Sequence, residues 1–369
     1  MKIEGDIREY RLLELENCFK YLIMIQKILG KFSKDLGIDL GTKNTLVYTK
    51  EGGIVLSEPS VVAINIRTDE ILAVGEEARR MVGKTPAHIK AIKPLIDGVI
   101  SDFEVTEKML KYFINKTHQE NFILTPRPRV VIGIPLDITE VEKKAVEDAA
   151  KSAGARQVYL IEESMAAAIG NRLPVSEATA TMVVDIGGGT TEISVISLGG
   201  VVAWKTLRIA GNELDQNIID YIREEFNVLI GEQIAERIKI KIGCASRLDE
   251  PLEMEVRGRG LIDGLPKSIV INDGQVVEAI NKTVQKIIDN IKITLEITPP
   301  ELVSDIYEKG IYLTGGGALL RNFDKEIAKA TKIPVRVAED PLTCVVRGTG
   351  ILLDNDELLS KVFSPGVDD

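Results

Sequence analysis

Two segments far apart in the chain repeat one pattern, and that repeat constrains the fold more than any other feature. Gly37-Ile38-Asp39-Leu40-Gly41-Thr42 and Val183-Val184-Asp185-Ile186-Gly187-Gly188-Gly189-Thr190 each read as a buried strand, an Asp at its end, a small-residue turn and a return strand. Two such units predict two related α/β halves facing one another across a cleft. A turn of Gly and Thr presents backbone N–H groups with no side chain in the way, a nest that cradles phosphate oxygens. An Asp at the strand end repels phosphate directly but holds a hydrated Mg²⁺ that bridges to it. One such turn alone is an ordinary hairpin. The pair, with Gly315-Gly316-Gly317 behind a third strand, points to a nucleotide clamped between the halves. Neither Gly-x4-Gly-Lys-Ser/Thr nor a Gly-x-Gly-x-x-Gly after the first strand occurs, which disfavours the two commonest other nucleotide folds.

Composition narrows the chemistry. The 369 residues allow two or three domains, and 44% hydrophobic with 28% charged residues is globular composition. A net charge of −10 argues against nucleic acid, which needs a basic face. Cys18, Cys244 and Cys344 are too few and scattered for a disulfide framework, so a reducing cytoplasm is expected. With only His88 and His118, a zinc site or a histidine-based triad is disfavoured, leaving carboxylates, backbone amides and Mg²⁺.

Strand and helix signals alternate along the chain, as in α/β proteins. Thr139 with Glu142 reads as a capping box opening a helix to Ala153, with Gly154 beyond it. Ser246 to Asn272 reads as irregular structure with short strands, and Asp273 to Ile297 as a long helix stopped by Pro299-Pro300. A helix is expected directly after Gly315 to Gly317.

The N-terminus carries neither a signal peptide nor a membrane span. Ile25, Ile28, Leu29 and Phe32 instead form one apolar stripe, with Lys27, Lys31 and Lys34 mostly off it. Such a helix packs on its own domain or lies on a membrane surface. A second apolar segment, Phe122-Ile123-Leu124, sits between a helix end and Pro126-Arg127-Pro128, where a loop normally avoids exposure.

The two turns resemble the phosphate loops of the actin, sugar-kinase and heat-shock chaperone ATPase superfamily. Further segments are similar to the MreB/Mbl family of bacterial actins. These are Leu56-Ser-Glu-Pro-Ser-Val-Val-Ala, Ile92-Lys-Pro-Leu-Ile-Asp-Gly-Val-Ile, Val131-Ile-Gly-Ile-Pro, Met165-Ala-Ala-Ala-Ile-Gly, Ala235-Glu-Arg-Ile-Lys and Leu313-Thr-Gly-Gly-Gly-Ala-Leu-Leu. The similarity spans roughly Asp35 to Asp354. It implies an actin-like ATPase fold, two duplicated α/β domains of two subdomains each around a central nucleotide cleft. The expected division is an extension over 1–34 with the membrane helix, a first domain over 35–172 to which 342–369 return, and a second over 173–341.

Roles follow by resemblance. Thr42, Lys43 and Asn44 fall in the first phosphate loop and Gly187, Gly188 and Gly189 in the second. Asp39 and Asp185 fall at the water shell of Mg²⁺, with Asp185 also in the catalytic set. Glu236, Arg237, Ile238 and Lys239 fall along the nucleoside pocket, and Gly315, Gly316, Gly317 and Ala318 in the adenosine loop. Glu163 is the residue expected to orient or deprotonate the attacking water, with Glu162 its structural neighbour. Ile25, Ile28, Leu29, Phe32, Phe122, Ile123 and Leu124 are the expected membrane contacts. The implied protein is a slow ATPase using ATP and Mg²⁺ that forms homopolymer filaments. It works on the cytoplasmic face of the membrane with membrane-spanning cell-shape and wall-synthesis proteins such as RodZ and MreC, organising wall synthesis to maintain rod shape.

The chain departs from the family pattern at three places. Lys43 replaces a small residue, and either reaches a phosphate or points to solvent; the first is expected. Ser164 replaces a proline, with a modest effect on Glu163 expected. Residues before Met24 lack a counterpart, which makes Met24 a second candidate start. Rival readings are a sugar or small-metabolite kinase, a chaperone ATPase and a divisome actin-like adaptor. The first needs sugar-contacting insertions, the second a domain after Asp354, and the third a C-terminal membrane helix.

Overall fold

The computed structural model describes residues 35–118 and 127–363. The expected membrane contacts Ile25, Ile28, Leu29, Phe32, Phe122, Ile123 and Leu124 lie outside the described residues. Among the described residues no helix is long and apolar enough to cross a membrane.

The first half opens on a meander, β1 (Leu36–Leu40), β2 (Asn44–Thr49) and β3 (Gly53–Pro59). An insertion follows: β4 (Val62–Asn65), β5 (Glu70–Val74), α1 (Glu76–Met81), β6 (Ile89–Ile92) and the small pair β7 (Leu95–Ile96) and β8 (Val99–Ile100). Helix α2 (Phe103–His118) precedes β9 (Arg129–Ile134), α3 (Glu140–Ser152), β10 (Gln157–Glu162) and α4 (Glu163–Gly170). The sheet order is β10-β9-β1-β2-β3.

The second half repeats the plan with β11 (Thr181–Ile186), β12 (Thr191–Ser197) and β13 (Gly200–Leu207). Its insertion holds α5 (Gly211–Phe226), β14 (Val228–Leu229), α6 (Glu232–Ile242), β15 (Glu253–Gly260) and β16 (Pro266–Asn272). Then come α7 (Asp273–Ile297), α8 (Pro300–Lys309), β17 (Ile311–Thr314), α9 (Phe323–Thr331) and β18 (Val335–Val337). The sheet order is β13-β12-β11-β17-β18, the first order read from the other edge. In each half the first strand pairs antiparallel with its hairpin partner and parallel with the strand that returns after the insertion. The duplication therefore extends from two short motifs to whole five-stranded sheets.

Local chemistry explains the elements. Thr139 Oγ1 accepts from Glu142 N at 3.2 Å while Glu142 Oε2 accepts from Thr139 N at 2.8 Å, the expected capping box. Helix α7 has its own box, Asn272 with Gln275, both bonds at 3.0 Å. Val276, Ile280, Val284, Ile287, Ile288 and Ile291 make one buried stripe along it. Each such side chain contributes about 1.5–3 kcal/mol on burial. Pro299-Pro300 ends α7 as expected, but Pro300 also opens α8, because its fixed φ suits a first helical turn. Ser246 to Asn272 is more regular than the sequence suggests: β15 and β16 form a hairpin of eight and seven residues. After Gly315 comes only a 3₁₀ turn over Gly316–Leu319, and the helix waits until Phe323.

The chain end returns to the first half. Helix α10 (Cys344–Asp354) packs on α4, β1 and β9, and α11 (Asp356–Val362) follows it. One apolar cluster joins the halves: Val131, Ala166 to Ile169, Val183, Ile196, Cys344, Val345 and Leu352. Helix α4 bridges the two sheets, packing on β9 and β10 of one and on β11 and β12 of the other, with α10 against it.

Candidate functional site

The two glycine turns meet across a cavity of about 930 Å³ between the halves. Asp39, Thr42, Lys43 and Asn44 line it from one side, Asp185, Gly187, Gly188, Gly189 and Thr190 from the other. Strand pairing places the two Asp residues alike, since Asp39 and Asp185 each lie one pair before the end of a hairpin. The second turn is held from behind. Gly211 N and Asn212 N, at the start of α5, donate to Gly187 O at 3.1 Å and Gly188 O at 2.8 Å. Carbonyls drawn back in this way turn the amides outward. No hydrogen bond among the described residues takes the N–H groups of Thr42, Lys43, Gly188 or Gly189. Thr42 Oγ1 accepts from Gly98 N at 2.9 Å, which fixes the first turn against the β7–β8 pair.

Glycine is required where the turns approach. A Cβ on Gly188 would stand 2.8 Å from Lys43 Cβ, and one on Gly189 2.9 Å from Asp97 Cα. Gly315 has φ 76° and packs on the end of β11, where a Cβ would come 2.7 Å from Asp185 Oδ1.

Behind the turns lie four carboxylates: Asp39, Glu163, Asp185 and Glu192. Burial pushes Asp185 up to about 6, while the Thr314 hydroxyl, donating to Oδ1 at 2.8 Å, pulls it back. Burial and then the charge of Asp185 push Asp39 up to about 7. Glu163 stands well above its ordinary range through burial and then the charges of Glu192, Asp39 and Asp185. Burial lifts Glu192 to about 8 against the pull of the Leu136 N–H, which it accepts at 2.7 Å. Glu192 Oε2 has no hydrogen-bond partner. Among the described residues no Lys or Arg forms an ion pair with any of the four. An uncompensated acidic pocket beside a phosphate nest fits a divalent cation. Among the described residues no three His, Cys, Asp or Glu converge as direct metal ligands would.

The remaining expected residues divide. Glu163, Glu236, Arg237, Lys239, Gly315, Gly316 and Gly317 line the cavity. Ile238 and Ala318 do not: both are buried in the core of the second half, Ile238 on the inward face of α6 and Ala318 beneath the 3₁₀ turn. Lys43 does not simply point to solvent, the second of its two expected courses. Its Nζ lies 2.6 Å from Asp215 Oδ2 and 2.8 Å from Glu236 Oε1. Burial opposes its charge, yet these two carboxylates raise its pKa above the lysine range. Sequence reasoning missed Glu192, Asp215 and the wall from Asp340 to Thr343. An acid inside the otherwise uncharged strand Thr191–Ser197 was the available signal for Glu192.

Comparison with known proteins agrees with this geometry. The family model for MreB/Mbl protein matches residues 33–361. The cell shape-determining protein MreB of Escherichia coli (strain K12) is 54% identical over 337 residues, covering 90% of this chain and 96% of that protein. The cell shape-determining protein Mbl of Bacillus subtilis (strain 168) is 50% identical over 330 residues, covering 89% and 98%. Among solved structures, MreB5 of Spiroplasma citri bound to ADP superposes with a TM-score of 0.84 at 36% identity, over 89% of this chain and 98% of that one. A MamK double helical filament shares the fold, with a TM-score of 0.72 at 23% identity over 87% and 98%. These relatives carry the cell-shape reading rather than the sugar-kinase alternative. With two duplicated sheets, paired glycine turns and this similarity over nine-tenths of its length, the chain belongs to the MreB/Mbl family of cell shape-determining, actin-like proteins.

Proposed function

We propose that this chain is an ATP-dependent bacterial actin. It binds ATP and Mg²⁺ between its halves, hydrolyses slowly, and polymerises on the cytoplasmic face of the membrane to organise wall synthesis. The observation that carries the reading is the pair of outward-facing glycine turns over four uncompensated carboxylates, Glu163, Asp185 and Glu192 buried and Asp39 half-buried. The N–H groups of Thr42, Lys43, Gly188 and Gly189 hold phosphate oxygens. Glu236, Arg237 and Lys239 flank the nucleoside, and Gly315 to Gly317 let it approach closely. Asp39 and Asp185 would hold Mg²⁺ through water, and the ion would supply positive charge to offset the phosphates. Glu163 orients the attacking water and takes its proton from its place in the cavity wall beside Asp39 and Asp185.

Cleft closure changes subunit shape, and head-to-tail repetition of one interface gives an open filament. The apolar segments at Ile25 to Phe32 and at Phe122 to Leu124 anchor that filament on lipid, with RodZ- and MreC-like proteins as membrane-spanning partners. Phosphate release tests the site. Glu163→Gln is expected to retain ATP and release phosphate about 100-fold more slowly. Undiminished release with nucleotide bound would remove Glu163 from the mechanism.

A further inference from the structure

Lys43 belongs to the first half, and both of its partners belong to the second. Asp215 stands on α5 and Glu236 on α6, 2.6 and 2.8 Å from Nζ. A second lysine completes the group: Lys239 Nζ is 2.8 Å from Asp215 Oδ1, an ion contact not aligned as a hydrogen bond, and donates to Gly211 O at 2.7 Å. Two ammonium and two carboxylate groups thus neutralise one another inside the cavity wall. Asp215 is nearly buried, its side chain 6% exposed, and Lys43 is 29% exposed. The stem of Lys43 lies against Gly188, where any side chain would block it. The bridge therefore joins the first phosphate turn to the nucleoside wall of the opposite half.

We propose that Lys43 is a cross-cleft latch. Its ammonium holds the halves closed through Asp215 and Glu236, so that nucleotide enters and leaves only when this bridge opens. The inference rests on the reading of the cleft as a nucleotide site. Lys43 is a positioning residue here: it acts through the two carboxylates rather than on the reacting atoms. A phosphate competing for this ammonium has to leave Glu236 without its cation, and partly buried charges resist that loss. Other contacts cross between the halves. Gln233 Nε2 donates to Arg79 O at 2.9 Å, and Lys93 pairs with Glu232 at more exposed positions. Neither involves Lys43, so a variant at Lys43 isolates the bridge.

Two measurements on the full chain test it. In stopped-flow chase of a fluorescent ADP, Lys43→Met is expected to release nucleotide about tenfold faster, as befits loss of a charge-assisted bond. Lys43→Arg is expected to restore slow release. Raising ionic strength from about 0.05 to 0.5 M is expected to speed release from the native chain more than from Lys43→Met. Hydrogen–deuterium exchange without nucleotide is expected to quicken in Lys43→Met at residues 187–190 and 211–215. Binding of ADP with native release and exchange in Lys43→Met would overturn the latch. Failure of the native chain to bind any adenine nucleotide would instead overturn the nucleotide reading, while exchange still reports on the bridge.

Discussion

Gly189→Ala tests whether the two turns converge as described. A Cβ at Gly189 would lie 2.9 Å from both Asp97 Cα and Thr42 Oγ1, and 3.1 Å from Asp97 N. Neither neighbour can yield easily: one is backbone, and the Thr42 hydroxyl is held by Gly98 N. Ordinary contact needs about 3.6 Å, so the turns must separate by roughly 0.7 Å. Overpacking of this kind costs about 1–3 kcal/mol. The strain falls on closure, because Gly189 lies in a turn at the cavity wall and outside the apolar clusters of either half. At 1.4 kcal/mol per tenfold, ATP binding weakens by roughly 5- to 150-fold. Calorimetric titration with Mg²⁺ and ATP measures it. Gly231→Ala, where an added Cβ meets nothing within 4 Å, is the control. Gly189→Ala binding ATP within twofold of the native chain would refute the convergence.

The raised carboxylates predict a pH dependence. Asp185, Asp39 and Glu192 ionise near 6, 7 and 8 in the folded chain, against 3.8, 3.8 and 4.5 ordinarily. Between about pH 4 and 8 the folded state therefore binds more protons than the unfolded one, and stability falls as pH rises through that window. The thermal midpoint of the chain without Mg²⁺ and nucleotide is expected to drop by about 2–4 °C or more from pH 6 to pH 8, and Asp185→Asn to flatten the drop. A midpoint rising over that range contradicts the account. At the membrane, Phe122→Ser with Ile123→Ser is expected to lower pelleting with liposomes at least severalfold, since linked weak anchors act by avidity. Unchanged pelleting removes this segment from the membrane contact.

The sequence disclosed the turns because their chemistry permits few residue types. Gly41, Gly187 to Gly189, Asp39 and Asp185 stand out against any background, and the capping box at Thr139 is as plain. The matching sheet orders were hidden, because β13 and β3 carry ordinary residues and pairing order leaves no local mark. Resemblance assigns the run Glu236 to Lys239 to the pocket as a block, but a helix turns successive residues to different faces, and Ile238 faces the core. The Lys43–Asp215 bridge was beyond reach altogether. Its partners are 172 positions apart, and only the closing of two halves brings them to 2.6 Å. Lys43 was marked as unusual from sequence; its partner was not.

Electron microscopy of the purified chain on lipid, with and without ATP, bears most directly on the central claim. Membrane-bound filaments that depend on ATP are predicted. Absence of filaments in every nucleotide state, with the protein folded and ATP bound, would contradict a nucleotide-driven actin.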